Sequence, residues 1–185
     1  MKKDEELIKL YNGVADDIKT ITDLTSIVKR DGDLLILIVH NLDGKNRISP
    51  ISILNDNQNV RDNLLERLGE FLAEKKYDVK MIIAIADSYF VKRKKGDALP
   101  EGSVKNAIDR EEAIVIIGED MYGNKYITTK EKKPAIGING EFIYEEILRV
   151  TPDSKDYDNN GMKDGLVSIP WRTYRFCNIV NNIKS

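Results

Sequence analysis

The sequence is poor in the two residue types that most often build metal and redox centres. Among its 185 residues there is one cysteine, Cys177, and one histidine, His40. A single cysteine excludes a disulfide or a cysteine cluster within this chain, and a single histidine excludes a multi-histidine zinc site. No serine or cysteine elbow accompanies His40. We therefore expect His40 to be a hydrogen-bonded structural residue and Cys177 to be a small packed hydrophobe.

The sequence also lacks a strong charge of either sign and a long hydrophobic run. The formal net charge is −2, which removes the global positive field typical of nucleic-acid- and membrane-binding proteins. Such a function would therefore need a local basic patch. No apolar run approaches the length of a membrane span, and the early acidic residues of Met1–Glu6 do not fit a signal peptide. We expect a cytoplasmic protein.

The remaining composition is that of a well-solvated globular protein, with 41% hydrophobic and 32% charged residues. The length predicts a single globular domain over residues 1–185. Within it we expect a sheet-and-helix core over residues 1–150. A polar loop and a C-terminal segment that folds back on the core should occupy residues 151–185. The apolar residues expected to bring that segment to the core are Ile169, Trp171, Tyr174, Phe176, Ile179 and Val180.

Two segments carry apolar residues at three- and four-residue spacing, which predicts amphipathic helices over residues 4–30 and 60–76. Gly69 lies inside the second helix and costs it about 1 kcal/mol relative to alanine. Short β-branched runs between turn residues predict strands. These strands cover residues 34–39, 47–54, 79–90, 112–118 and 125–130.

Turn chemistry joins these strands into two hairpins, and Pro50 places its strand at a sheet edge because proline lacks an amide donor. Residues 141–150 fit either a strand or a short helix, and the spacing of Phe142, Ile143, Ile147 and Leu148 narrowly favours the helix. The sequence thus predicts an α+β fold. A single antiparallel or mixed β-sheet, two hairpins plus a central strand, packs against two helices that cover one of its faces.

Short motifs in the middle third of the chain carry a resemblance. They are the tract Ala86–Phe90, the segment Asp109–Ala113, and Gly118–Asp120 followed by Gly123. This pattern resembles a loose group of prokaryotic and phage proteins of unknown function, from which it departs at Asp87 and Tyr89. The resemblance implies a small accessory protein, with a mobile element as one source, and implies no activity.

The sharpest chemical motif is an alternation of oxygen-bearing side chains in the polar loop. Asp156, Asp158 and Asn160 precede Gly161, and Asp164 follows. This spacing matches the first part of an EF-hand calcium loop, in which alternate oxygens converge on one ion. Val167 stands where the bidentate acid is expected, so the motif predicts weak Ca²⁺ binding. The same residues also fit an ordinary Asx-rich surface turn.

A second candidate site is basic. If strands 80–90, 112–118 and 125–130 form an antiparallel meander, the basic residues meet at one end of the sheet. They are Lys92, Arg93, Lys94, Lys95, Arg110, Lys130, Lys132 and Lys133. Such a rim would bind phosphate or a nucleic-acid backbone. The run 92–95 also fits a solvated loop, and nearby acidic residues such as Glu111 and Glu112 weaken the field.

Four carboxylates are candidates for metal-dependent phosphodiester chemistry, namely Asp87, Glu111, Glu119 and Asp120. In the meander, however, Asp87 lies at the opposite sheet end from Glu119 and Asp120, so the set does not converge. We therefore predict no catalytic residue and favour a protein that is not an enzyme.

Three functions remain, in order of preference. The first is a small binding or accessory module that acts through contacts with a protein partner. The second is a nucleic-acid- or phosphate-binding protein that uses the basic sheet end. The third is a metal-dependent phosphodiester hydrolase.

Overall fold

The structure is a computed structural model. It describes residues 3–19, 21, 33–54, 57–91, 110–134, 142–155, 157 and 166–184. In chain order the elements are α1 (Glu5–Asp16), β1 (Asp33–Leu42), β2 (Lys45–Leu54), α2 (Gln58–Glu74), β3 (Asp78–Phe90), β4 (Glu111–Asp120), β5 (Lys125–Pro134), β6 (Phe142–Val150) and α3 (Ser168–Lys184).

The six strands form one open antiparallel sheet in the order β2-β1-β3-β4-β5-β6. The predicted α+β fold is therefore confirmed. Strands β2 and β3 both run antiparallel to β1, so the connection through α2 crosses over β1. Pro50 lies on β2, an edge strand, as expected of a residue without an amide hydrogen.

Both faces of the sheet are buried, and each face is covered by different helices. On one face α1 packs its buried residues, among them Tyr11, against Leu35 and Ile83. On the other face α2 and α3 pack against Leu34 and Ile82. The prediction that the first two helices cover a single face was wrong. Because neighbouring residues in a strand point to opposite faces, the continuous apolar run of β1 needs a cover on each side.

Helix ends follow local capping chemistry. Helix α1 begins after Asp4, whose side chain accepts hydrogen bonds from the amides of Glu6 and Leu7. It ends at Asp16, and Ile18, Lys19 and Ile21 again have helical backbone. Residues 20 and 22–30 of the predicted helix lie outside the described residues. Helix α2 begins after Asn57, which caps it in the same way, two residues earlier than predicted.

Residues 142–150 form strand β6, so the narrow preference for a helix was wrong. Ile143, Ile147 and Leu148, which suggested a buried helical stripe, are each about half exposed. Up to Glu145 the strand instead follows the period of two, and Tyr144 packs against the core under α1. Ile147 has no partner in the pairing with β5, because the register shifts between Thr129 and Lys130. The last strand is therefore an edge strand with a bulge.

The C-terminal segment folds back as expected, and it does so as helix α3. Trp171 is 2% exposed in the core between α3 and the sheet, and its indole nitrogen donates to the carbonyl oxygen of Glu119. The Tyr174 hydroxyl donates to the carbonyl oxygen of Tyr77 at 2.6 Å. Two hydrogen bonds to the sheet side thus fix how α3 lies beside α2.

Candidate functional site

The predicted basic end of the sheet forms where β3 ends, β4 begins and β5 ends, as the strand register requires. Lys92, Arg93, Lys94 and Lys95 lie outside the described residues. The guanidinium of Arg110 lies 4.9 Å from the centre of the Tyr89 ring, a cation–π distance. Arg110 is therefore engaged with its own chain on at least one face.

Acidic side chains accompany two of the lysines at this end. Lys132 is 7% exposed, and its Nζ lies 3.4 Å from Asp87 and 3.6 Å from Glu112. Lys133 contacts Glu145 and lies 3.2 Å from Glu131. Hydrogen bonds to these two carboxylates raise the pKa of Lys133 above its ordinary value. The positive charge of both lysines is compensated within the protein.

Lys130 differs from its neighbours because it is buried without an ion pair in the described part of the chain. The residue is 7% exposed and points to the α1 face of the sheet. Burial lowers its pKa, and the nearby charges of Glu146 and Asp16 only partly oppose that effect. The described part of the basic end thus offers little free positive charge. The nucleic-acid prediction then depends on residues 92–95 and stays a prediction.

The predicted calcium ligands Asp156, Asp158, Asn160 and Asp164 all lie outside the described residues. Just before them, the hydroxyl of Thr151 donates to the carboxylate of Asp153. Within the described ranges no group of three His, Cys, Asp or Glu side chains is placed to hold a metal ion. Weak calcium binding by the loop therefore stays a prediction.

The carboxylates considered for phosphodiester chemistry divide between the two ends of the sheet, with Asp87 and Glu111 at one end and Glu119 and Asp120 at the other. Asp87 is opposite Ile114, whereas Asp120 is opposite Met81 at the other end of β3. Asp120 is fully buried and accepts four hydrogen bonds. They come from the amides of Tyr122 and Asn124, the side-chain amide of Asn124 and the hydroxyl of Tyr126. The role of Asp120 is to hold the β4–β5 turn.

Glu119 ties α3 to the sheet. Its carboxylate accepts a hydrogen bond from the Ser168 hydroxyl at 2.9 Å and lies 3.3 Å from the Arg175 guanidinium. Arg175 also stacks over the Trp171 ring at 4.7 Å. Both oxygens of the Glu119 carboxylate therefore have partners at the start of α3.

His40 is buried and hydrogen-bonded. It is 5% exposed, its Nε2 lies 3.0 Å from the Ser49 hydroxyl, and its ring meets that of Tyr77 edge-on at 4.9 Å. Cys177 is half-buried on α3. Neither residue has a described partner for nucleophilic or metal chemistry.

The surface that sequence reasoning missed lies on α3. Phe176, Ile179 and Ile183 are 67%, 60% and 78% exposed, and we call these three residues the outer stripe. Their spacing of three and four residues places them on one side of the helix. The expectation that Phe176 and Ile179 pack on the core was wrong. The signal in the sequence is that α3 carries two apolar faces, and Trp171 and Tyr174 already occupy the buried one.

The two sheet edges are less suited to binding than the outer stripe. Pro50 removes an amide donor from β2, and β6 carries a bulge and charged side chains such as Glu145 and Arg149. Proline, bulges and charges are the features by which proteins prevent strand addition at an edge. An added strand would therefore pair poorly at either edge, whereas the outer stripe has no such protection.

Comparison of the chain with protein-family models, with curated proteins and with solved structures finds no significant match. In the described part of the chain, every helix is too short or too polar to cross a membrane.

Proposed function

We propose that this protein is a binding module that contacts another protein through the outer stripe of α3. The observation that carries the proposal is the exposure of Phe176, Ile179 and Ile183, each at least 60%, on a helix whose opposite side is anchored in the core. Large apolar side chains that cluster on the solvent-exposed surface of a protein commonly mark an interaction site. Anchors at positions i, i+3 and i+7 are the pattern by which a helix docks into a partner's groove.

The anchoring of α3 favours binding because it reduces the entropy lost on association. Trp171 and Tyr174 hold the helix by hydrogen bonds to Glu119 and Tyr77, so the stripe is presented in a fixed orientation. Burying each exposed side chain would contribute about 1–2 kcal/mol, scaled from full burial of such residues. A three-residue anchor of this strength suits a reversible contact.

The alternative of nucleic-acid binding receives less support from the described residues. Lys132 and Lys133 are each paired with acids, and Lys130 is buried. The proposal also includes a cytoplasmic location, and it assigns no catalytic role.

Site-specific photo-crosslinking tests the proposal in the cells that make the protein. A photoreactive phenylalanine replaces Phe176 in one variant and Phe71, a 45% exposed aromatic residue on α2, in a matched control. We expect a discrete crosslinked protein at position 176 and none at position 71. Adding the Ile179→Glu and Ile183→Glu substitutions should abolish the crosslink at 176. Equal products at both positions, or no product at 176, would contradict the proposal.

A further inference from the structure

Helix α3 carries the outer stripe, and all of its charged residues are basic. Its sequence contains Arg172, Arg175 and Lys184 and no aspartate or glutamate, whereas the whole chain has a net charge of −2. From this we infer that the partner surface is acidic, an apolar groove or helix face of another protein flanked by carboxylates. The inference rests on the proposed function and specifies the chemistry of the partner.

Arg172 is the charge best placed to meet such a partner. It lies four residues before Phe176, on the same side of α3 as the outer stripe, and its side chain is exposed. Within the described residues it makes no ion pair. Arg175 differs, because its guanidinium lies 3.3 Å from Glu119 and over the Trp171 ring. Arg172 therefore acts toward a partner, and Arg175 acts within the fold.

A second copy of this chain fits the stripe poorly. A parallel contact between two α3 helices places Arg172 opposite the Arg172 of the other copy. An antiparallel contact between the same helices gives Arg172 no carboxylate either, because α3 contains no aspartate or glutamate. The parallel arrangement brings like charges together, which is unfavourable at a contact, and neither arrangement supplies an opposite charge from α3. Carboxylates on a different protein remove this repulsion.

An anionic lipid surface also fits less well than an acidic protein. Helices that lie on membranes carry many lysines and arginines beside their apolar face. Helix α3 instead carries three basic residues among its seventeen, and its other polar residues include the neutral Asn178 and Asn181. The net negative charge of the chain opposes approach to an anionic membrane.

Binding of two synthetic helical peptides to the whole protein tests the inference. Both peptides carry leucines at positions i, i+3 and i+7, and one has glutamates on the flanks where the other has lysines. Fluorescence anisotropy measures the affinity of each. We expect the glutamate peptide to bind at least about tenfold more tightly at low salt, as expected for charge complementarity at a rim. The Phe176→Ser/Ile183→Ser variant should lose this binding and keep its circular dichroism spectrum.

Reversal of the charge preference provides the decisive control. Arg172→Glu should invert the preference, so that the lysine peptide binds more tightly. Arg67→Glu makes the same change of charge at an exposed position on α2 and should leave the preference unchanged. If the two substitutions had equal effects, the peptide preference would depend only on the net charge of the protein, and the inference would be overturned.

Other occupants give distinct outcomes in the same set of measurements. Stripe-dependent dimerisation in light scattering would assign the stripe to a second copy and overturn the inference. Stripe-dependent binding to phosphatidylserine vesicles, with no preference between the peptides, would assign it to lipid and also overturn it. If neither peptide binds but the crosslink at position 176 appears, the inference of an acidic partner surface is wrong and the proposed function stands. If the crosslink is absent, the proposed function itself is wrong.

Discussion

The carbonyl oxygen of Pro170 lies 2.5 Å from the point where a Cβ on Gly69 would stand. The Cβ of Thr173 lies 2.8 Å from the same point. Both distances are shorter than a carbon atom tolerates, so α2 and α3 approach this closely only because residue 69 has no side chain. This contact sets the position of α3 and therefore the direction in which its outer stripe points.

Gly69→Ala should destabilise the protein, although helix propensity alone predicts a gain of about 1 kcal/mol. The added methyl group must push α3 away from α2, which we expect to outweigh the gain and leave a net loss of about 1–3 kcal/mol. Urea unfolding measures the change. Gly13→Ala is the matched control, because nothing from another described part of the chain lies within 4 Å of a Cβ there. That variant should be as stable as the parent or more so.

Asp120→Asn should destabilise the β4–β5 turn. The carboxylate accepts four hydrogen bonds in a fully buried site, and an amide would turn one acceptor into a donor that faces other donors. We expect a loss of about 2–4 kcal/mol in the free energy of unfolding. Asp43→Asn, at an exposed turn position with φ of 53°, should have little effect. Equal stability of the two variants would show that the turn does not need the carboxylate.

Tyr11→Phe should cost about 1–3 kcal/mol, because it leaves two buried oxygen atoms without their partner. The Tyr11 hydroxyl lies 2.9 Å from the carbonyl oxygen of Ile116 and 3.0 Å from the hydroxyl of Thr128. A double-mutant cycle with Thr128→Val separates the two contacts. We expect the double variant to lose less than the sum of the single variants. Strict additivity in chemical denaturation would count against a direct contact.

Lys130→Met should stabilise the protein at neutral pH. Burial lowers the pKa of Lys130 from its ordinary value of 10.5, so the charged form is less favourable in the folded state than in the unfolded state. This penalty is fully present below the folded-state pKa and is lost as the pH rises from there to 10.5. The advantage of the variant should therefore shrink between neutral and alkaline pH.

Melting temperatures at several pH values measure this trend. The matched control is Lys9→Met, at an exposed position on α1, which should show no such pH-dependent gain. A Lys130→Met variant that is less stable than the parent at pH 7 would mean that its attraction to Glu146 and Asp16 outweighs the cost of burial.

Local patterns in the sequence were sufficient for most of the fold. The apolar spacing of 60–76 identified α2, the β-branched runs identified five strands, and Pro50 identified an edge. Each of these features depends on residues close together in the chain, where periodicity and turn chemistry act. Strand β6 was missed because Ile143, Ile147 and Leu148 have a helical spacing but stay exposed. Its hydrogen bonds come from β5, and a local pattern does not contain them.

The sequence by itself determined the fold class and the absence of a histidine or cysteine metal cluster in this chain. Only the tertiary structure decided on which face each helix packs, because the strands are apolar on both sides. It also decided that Lys132 is compensated, since its partner Asp87 lies 45 residues away in the chain. On α3 the two apolar faces look alike in sequence. Contacts with Gly69, Glu119 and Tyr77 bury one of them and leave Phe176, Ile179 and Ile183 exposed.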